Sequence, residues 1–189
     1  MSGESLTKTL SKPALLMTES KQDYQALQAS LEHEIMPRSF VESMYVADIA
    51  ALTWEILRLR RCKSGIINNA FDKALQNLLR SYFDFDYIAA QDLARRWFAD
   101  PTAKEVAELL RRVRLDEFAI EAEAVRLSSS ALELIDRMLS AYESRRNKAL
   151  RSIEVYRVGF AKTVRESSDR VLQEIRVPKL GYRANKVSA

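Results

Sequence analysis

The residues that could carry out chemistry are few, and their spacing matches no catalytic or metal-binding pattern. The only histidine, His33, stands in a Glu-His-Glu sequence near the predicted end of a helix, where a histidine usually faces water. A helical di-iron site needs a glutamate three residues before the histidine, but Ser30 occupies that place. Nothing links His33 to Cys62, the only cysteine, as a base beside a nucleophile. We therefore expect no catalytic residue, no metal site and no cofactor.

Carboxylates are plentiful, and Glu117, Glu121 and Glu123 form one cluster. Paired carboxylates can do acid–base catalysis, but beside arginines on a helix they more often form a solvated charged face. The chain has only four glycines and four prolines among its 189 residues. Such a composition excludes turn-rich folds and the glycine-rich loops that bind phosphate in many nucleotide enzymes. The sequence therefore predicts an all-α protein that is not an enzyme.

The basic residues are distributed unevenly along the chain. The net charge is +4, but residues 140–189 contain 12 basic and 5 acidic residues, so this segment carries +7 and the rest of the chain −3. Such asymmetry indicates a polyanionic partner. We predict contacts with DNA or RNA through eight basic residues, which are Arg145, Arg146, Lys148, Arg151, Lys162, Arg165, Arg58 and Arg61.

Two alternatives to nucleic-acid binding remain open. The basic residues could form an ordinary solvated surface, because Lys162 precedes Glu166 and Arg165 precedes Asp169 by four positions, a spacing that favours ion pairs on one helix. Only the stretch 145–151 largely lacks such neutralisation. The protein could also be an adaptor or scaffold that docks another protein along an apolar stripe and binds no nucleic acid.

The elements that must position these residues are helices. Apolar residues recur every three or four positions, and proline is absent between Pro37 and Pro101 and between Pro101 and Pro178. This pattern predicts helices over about Glu19–His33, Phe40–Arg80, Tyr87–Phe98, Asp100–Arg112, Asp116–Leu127 and Ala131–Ile175. We expect a flexible tail over residues 1–17, a single helical domain over 18–177 and a flexible basic tail over 178–189.

Local signals set the expected ends of several helices. Thr18 or Ser20 can cap the first helix, and Asp100-Pro101 is typical of a helix start. Ser39-Phe-Val-Glu42 has the pattern of a capping box, in which the serine and the glutamate satisfy each other's backbone amides. Ser130-Ala-Leu-Glu133 repeats that pattern, so a joint is expected near residues 128–130.

The glycines and the apolar residues add further expectations. Gly65 predicts a break or kink in the second helix, and Gly159 predicts a point of close packing beside Phe160. In the short helices we expect two inward-facing sets, Ile88, Leu93 and Trp97 in the third helix and Phe118, Ala122 and Val125 in the fifth.

Two long helices joined through a short helical insertion predict an elongated helical hairpin or bundle. The last helix carries one narrow apolar stripe, formed by Ile135, Leu139, Tyr142, Ala149, Ile153, Tyr156, Phe160, Val164 and Val171. This stripe needs a partner, which is either the other long helix or a second copy in a coiled-coil-like arrangement. We therefore expect a homodimer.

The expected compartment is the cytoplasm. No stretch approaches the ~18 apolar residues needed to cross a bilayer, and the first residues lack the apolar core and cleavage site of a secretory signal. A single cysteine permits no intrachain disulfide, which fits a reducing environment.

Several segments of the chain resemble a known family. They are Glu34-Ile-Met-Pro37, Val46-Ala-Asp-Ile-Ala50, Trp54-Glu-Ile-Leu-Arg58-Leu-Arg-Arg61, Leu115-Asp-Glu, Ile120-Glu-Ala-Glu-Ala, Ile135-Asp-Arg-Met-Leu and Tyr142-Glu-x-Arg-Arg-x-Lys-Ala-Leu-Arg-x-Ile-Glu. Across residues 19–157 this pattern resembles a family of uncharacterised bacterial helical proteins with no assigned activity. The resemblance implies a bacterial cytosolic protein of helical fold. It also marks Trp54 and Tyr142, one on each long helix, as core anchors where the two helices cross.

Overall fold

The computed structural model describes residues 14–99 and 104–175. Within these ranges the chain forms five helices and no strand, which confirms the all-α prediction. The helices are α1 (Lys21–Ile35), α2 (Phe40–Phe83), α3 (Tyr87–Ala99), α4 (Lys104–Arg112) and α5 (Glu117–Ile175). The expected cap at Asp100-Pro101, the tail 178–189 and most of the tail 1–17 lie outside the described residues.

The starts of α1 and α2 follow the local signals in the sequence. Ser20 caps α1, because its hydroxyl accepts a hydrogen bond from the Asp23 amide at 3.2 Å. Ser39 caps α2 in the same way, and its hydroxyl accepts from the Glu42 amide at 3.2 Å. The Glu42 carboxylate accepts in turn from the Arg38 amide at 2.8 Å, one residue before the partner that a standard capping box would use.

The two long helices pack against each other as an antiparallel hairpin. At ~1.5 Å per residue, α2 is about 66 Å long and α5 about 88 Å long. Glu42 pairs with Arg157 at 3.0 Å and Lys63 pairs with Asp136 at 2.7 Å. Glu42 and Lys63 are separated on α2 by the same number of residues as their partners Arg157 and Asp136 on α5. The register of the hairpin is therefore constant between the two ion pairs. In this register the contact between α2 and α5 stops at the first turn of α2, and α5 continues beyond that point.

The buried apolar residues form three clusters along the hairpin. The largest joins the second half of α2, α3, α4 and the first part of α5 around Leu75, Leu79, Leu93, Leu110 and Ile120. A second cluster joins α1 to α2, where Tyr24 and Trp54 meet edge to face with ring centroids 5.5 Å apart. The third cluster joins α2 to α5 through Val46, Ile49 and Ile153.

The predicted joint at residues 128–130 is wrong, because α5 runs without interruption from Glu117 to Ile175. Ser130 and Glu133 therefore form no capping box, and the fifth and sixth predicted helices are one element. Ile120, Ala124, Ser128 and Leu132 are buried at helical spacing. Packing of this continuous face outweighs the modest helix penalty of three consecutive serines.

The inward-facing sets predicted for the third and fifth helices are only partly right. Phe118, Ala122 and Val125 are exposed, because the buried face of this segment is the one that carries Ile120 and Ala124. In α3, Leu93 is buried and Trp97 is half-buried as expected, but Ile88 is exposed.

The predicted break at Gly65 and the predicted close packing at Gly159 are wrong, whereas a kink at Gly65 stays a prediction. The helix α2 passes through Gly65 without a break, and a side chain added at Gly65 would meet no atom within 4 Å. Gly159 is exposed on α5 and has equally open surroundings, so it is not a point of close packing.

Candidate functional site

The basic residue Arg58 of α2 is held in a dense set of intramolecular bonds. Its Nε and Nη2 atoms donate to the two carboxylate oxygens of Glu19 at 2.8 and 2.7 Å, and its Nη1 atom donates to Glu55 at 2.7 Å. Nη2 also donates to the carbonyl oxygen of Ala14 at 2.7 Å. The side chain is 15% exposed. Because its donors are already occupied, Arg58 does not present a free guanidinium to a phosphate.

Glu19 is the acidic centre of this contact. Its side chain is 1% exposed, and it accepts from the Leu16 amide at 2.9 Å as well as from Arg58. The hydrogen bonds from Arg58 hold the pKa of Glu19 at about 2. Residues 14–19, which the sequence placed partly in a flexible tail, thus contact α2 through this ion pair and through Leu15, which packs on Tyr24 and Trp54.

The other basic residues of the α2 cluster are also neutralised. Arg61 donates to Glu19 at 2.9 Å and lies over the Trp54 ring at 5.7 Å. Towards α5, Arg60 pairs with Glu143 at 2.9 Å, and Lys63 pairs with Asp136. Two of these residues bind the segment before α1 and two bind α5. The α2 cluster therefore joins helices and does not merge with the basic residues of α5 into one surface.

Three of the predicted basic residues on α5 lie together on its exposed side. Arg145, Lys148 and Arg151 are exposed, and none of them has an acidic partner among the residues that the structure describes. The guanidinium of Arg145 lies over the Tyr142 ring at 5.8 Å, which fixes its direction without neutralising it. These three residues form the core of a candidate phosphate-binding surface.

Arg137 belongs to the same surface, although it was not among the predicted residues. It is exposed and precedes Lys148 by about three helical turns, so both project from the same side of α5. Helical periodicity places Arg137 on the side of Lys148, but Arg137 lies outside the basic run 145–151. We call Arg137, Arg145, Lys148 and Arg151 the basic strip.

The basic strip contains little acidic charge within its length. The only acidic residue between Arg137 and Arg151 is Glu143, and its carboxylate is bound to Arg60. The positions between the basic residues on the outer side include Ser140, Ser144 and Asn147, whose side chains are short. The strip extends over roughly 21 Å of helix. It therefore offers several cations in a row with little steric hindrance.

The remaining predicted residues lie apart from the strip or are engaged. Arg146 is half-buried and donates to Asn147 at 3.4 Å. Lys162 lies about three turns beyond Arg151 and pairs with Glu166 at 3.8 Å. Arg165 is exposed and lines a groove at the start of α2, so it belongs to a different surface.

A second candidate surface is the last part of α5, residues 158–172, which we call the arm. Every one of these residues is exposed, including Val158, Phe160, Val164, Val171 and Leu172. The predicted apolar stripe of α5 is therefore buried at Ile135 and Ile153 but uncovered from Phe160 onward. The cause is the register of the hairpin, since α2 begins at the level of Arg157 and does not extend alongside the arm.

Arg157 marks the point where the arm leaves the body of the protein. Its Nη2 atom donates to Glu42 at 3.0 Å and to the carbonyl oxygens of Ile35 and Met36 at 2.8 and 3.3 Å. Hydrogen bonds from Arg157, and then from the Arg38 amide, lower the pKa of Glu42. This contact could not be predicted from sequence, because Arg157 and Glu42 are 115 positions apart.

The described residues contain neither a candidate metal cluster nor a membrane-spanning helix. No group of three or more histidine, cysteine, aspartate or glutamate side chains that could hold a metal ion occurs in 14–99 and 104–175. His33 and Cys62 are exposed and lie on different helices. No helix within those ranges is long and apolar enough to cross a membrane.

Trp54 and Tyr142 do not meet where the long helices cross. Trp54 packs on Tyr24 of α1, whereas Tyr142 is half-buried on α5 beneath Arg145.

In comparisons with known proteins, no family model, no curated protein and no solved structure matches the chain.

Proposed function

We propose that this protein is a non-enzymatic helical protein of the cytoplasm that binds nucleic acid through the basic strip of α5. The observation that carries the proposal is the strip itself, in which Arg137, Arg145, Lys148 and Arg151 share one exposed side of a helix without an acidic partner among the described residues. On the α2 cluster, by contrast, Arg58, Arg60, Arg61 and Lys63 are all engaged in ion pairs.

The chemistry of the strip fits a phosphate backbone. Phosphate groups of a duplex attract rows of lysine and arginine because binding releases condensed counterions. Three of the four cations are arginines, whose planar guanidinium can donate two hydrogen bonds to one phosphate. The strip contains no aromatic side chain except Tyr142, which is covered by Arg145. We therefore expect contacts with the backbone and little preference for sequence.

A groove beside the basic strip limits the direction from which a nucleic acid can approach it. It measures about 590 Å³ and runs between α2 and α5, with Asp48 and Glu55 on its α2 wall and Arg145 and Lys148 on its α5 wall. The acidic wall would repel a phosphate that entered the groove. A nucleic acid would therefore lie along the outer side of α5, where no acidic wall faces it.

Fluorescence anisotropy with labelled duplex DNA and duplex RNA of unrelated sequences tests this proposal. We expect binding of both at low salt, and a linear fall of the logarithm of the association constant with the logarithm of salt concentration. Absence of binding at low salt would contradict the proposal.

A second candidate function is docking of another protein, without nucleic-acid binding. The exposed apolar side chains of the arm favour it, since large uncovered apolar patches usually mark interaction sites. A protein that shows no anisotropy change with either nucleic acid, but loses a protein partner when the arm is altered, would have this function.

A further inference from the structure

The arm presents an apolar face that nothing in the described part of the chain covers. Phe160 is 63% exposed, and Val164 and Val171, which lie on the same side of α5, are each more than half exposed. Helices in water gain most of their stability from packing of an apolar face rather than from intrinsic propensity. A helical segment of this length with such a face therefore points to a partner that covers it.

The charges of the arm argue against a strongly charged partner. The arm contains three basic residues, Lys162, Arg165 and Arg170, and two acidic ones, Glu166 and Asp169. They are nearly balanced, and Lys162 and Glu166 pair with each other on the side away from Val164. A phosphate backbone or a highly acidic peptide would gain little here. A second copy, which brings the same apolar face and the same balanced charge, meets no repulsion.

The exposed area is what a symmetric pair of arms needs. Taking an aromatic side chain as 150–250 Å² and aliphatic ones as somewhat smaller, the exposed parts of Phe160, Val164 and Val171 amount to roughly 300 Å² per copy. Two such faces supply about half of the ~1,200 Å² at which specific interfaces begin, and the polar residues that flank them supply the rest. Because a two-fold axis uses the same patch on both subunits, the arm needs no other complementary surface.

The groove at the base of the arm indicates the direction of pairing. It measures about 560 Å³ and lies between the start of α2 and α5, with Ser39, Tyr156, Phe160 and Val164 in its wall. In an antiparallel pair the distal end of the partner's arm reaches this groove. In a parallel pair the groove would instead lie beside the same groove of the other copy and would stay empty.

We propose that two copies of this chain dimerise through their arms in an antiparallel arrangement. In this arrangement Phe160 lies opposite Val171 of the partner subunit, and Val164 lies opposite Ser168 of the partner subunit. Large side chains then alternate with small ones across the interface, which allows the helices to approach closely. The proposal does not depend on nucleic-acid binding, because the basic strip lies on an earlier part of α5 and on the other side of the helix.

Light scattering over a concentration series tests the proposal, with Val164→Glu as the interface variant. We expect the wild-type mass to approach twice 21.7 kDa and the variant to remain monomeric. The matched control is Val155→Glu, which places the same charge on the same helix at an exposed position away from the proposed face. Val164 is exposed in the single chain, so both variants should fold, and circular dichroism verifies that. A monomeric wild type, or a variant that still dimerises, overturns the proposal.

Disulfide cross-linking tests whether the two arms pair in an antiparallel or a parallel direction. In a Cys62→Ser background, a mixture of chains carrying Val164→Cys and chains carrying Ser168→Cys should form a mixed disulfide, while each variant alone should cross-link poorly. Efficient cross-linking of each variant with itself, and none in the mixture, would mean a parallel pair and would overturn the arrangement. Nucleic-acid binding by the monomeric Val164→Glu variant would show that the two functions are separate.

Discussion

The guanidinium of Arg157, on α5, lies 3.0 Å from the carboxylate of Glu42, in the first turn of α2, and Glu42 is only 3% exposed. The same carboxylate accepts from the Arg38 amide, so one ion pair joins the cap of α2 to the opposite helix. Because Arg157 also binds the carbonyl oxygens that end α1, it connects three helices at one point. This point fixes the register of the hairpin and determines where the arm begins.

Replacing Arg157 should therefore destabilise the protein and loosen the start of α2. In Arg157→Met the Glu42 carboxylate stays buried without its charge partner, and buried unpaired charges are costly. We expect a lower midpoint in urea unfolding, and faster amide hydrogen exchange in the first turn of α2 than in the wild type. An unchanged midpoint together with unchanged exchange would show that the ion pair does not hold the hairpin.

Arg58 should contribute more to stability than its neighbour Arg60. Arg58→Met leaves the buried Glu19 carboxylate with only the exposed Arg61 as its charge partner and should reduce the free energy of unfolding by roughly 2 kcal/mol. Arg60→Met breaks an exposed pair with Glu143 and should cost less than ~1 kcal/mol. Urea unfolding of the two variants measures this difference directly. Equal losses would contradict the assignment of Arg58 to a buried ion pair.

Stability should fall in acid because of Glu19. Its pKa is about 2 in the folded protein against 4.5 in the unfolded chain, so the unfolded chain binds a proton more readily. The stabilising contribution is therefore complete above the unfolded value and is lost as the pH falls from about 4.5 to about 2, by at most about 3 kcal/mol. Urea unfolding at several pH values should show a shallower acid decline in Glu19→Gln than in the wild type. Parallel declines would contradict the role of Glu19.

Gly65→Ala should stabilise the protein by about 0.5–1 kcal/mol. Gly65 has helical conformation inside α2, and an added side chain would meet no atom within 4 Å. Alanine loses less conformational entropy than glycine when it enters a helix. Thermal unfolding measures the effect, and a decrease in the melting temperature would mean that α2 bends or opens at this glycine.

The sequence predicted those features of the fold that depend on neighbouring residues. The caps by Ser20 and Ser39 and the ends of α2 and α3 follow from local hydrogen bonds and apolar spacing. The continuity of α5 through residues 128–130 could not be predicted, because it depends on packing of Ser128 and Leu132 against distant elements. The local capping signal favoured a joint, and tertiary packing overrode it.

The candidate site was predictable only where it depends on residues that are close together in the sequence. The exposed residues Arg145, Lys148 and Arg151 were found because they lie in one short basic run. Arg58 was misjudged because its partner Glu19 is 39 positions away, and only the folded chain shows that contact. Arg137 could have been found, since helical periodicity alone places it on the side of Lys148.

The most direct test of the account compares two variants that lose equal charge. One replaces the basic strip with glutamine at Arg137, Arg145, Lys148 and Arg151. The control replaces four exposed arginines of the opposite end of the hairpin, namely Arg80, Arg95, Arg111 and Arg114. Each phosphate contact contributes about 0.9 to the slope of the logarithm of the association constant against the logarithm of salt concentration. If all four strip residues contact phosphates of duplex DNA, the magnitude of this slope should therefore fall by about 3–4 in the strip variant. The control should keep a slope close to that of the wild type. Equal loss of slope and affinity in both variants would mean that net charge alone attracts nucleic acid, and it would contradict a binding site on the strip.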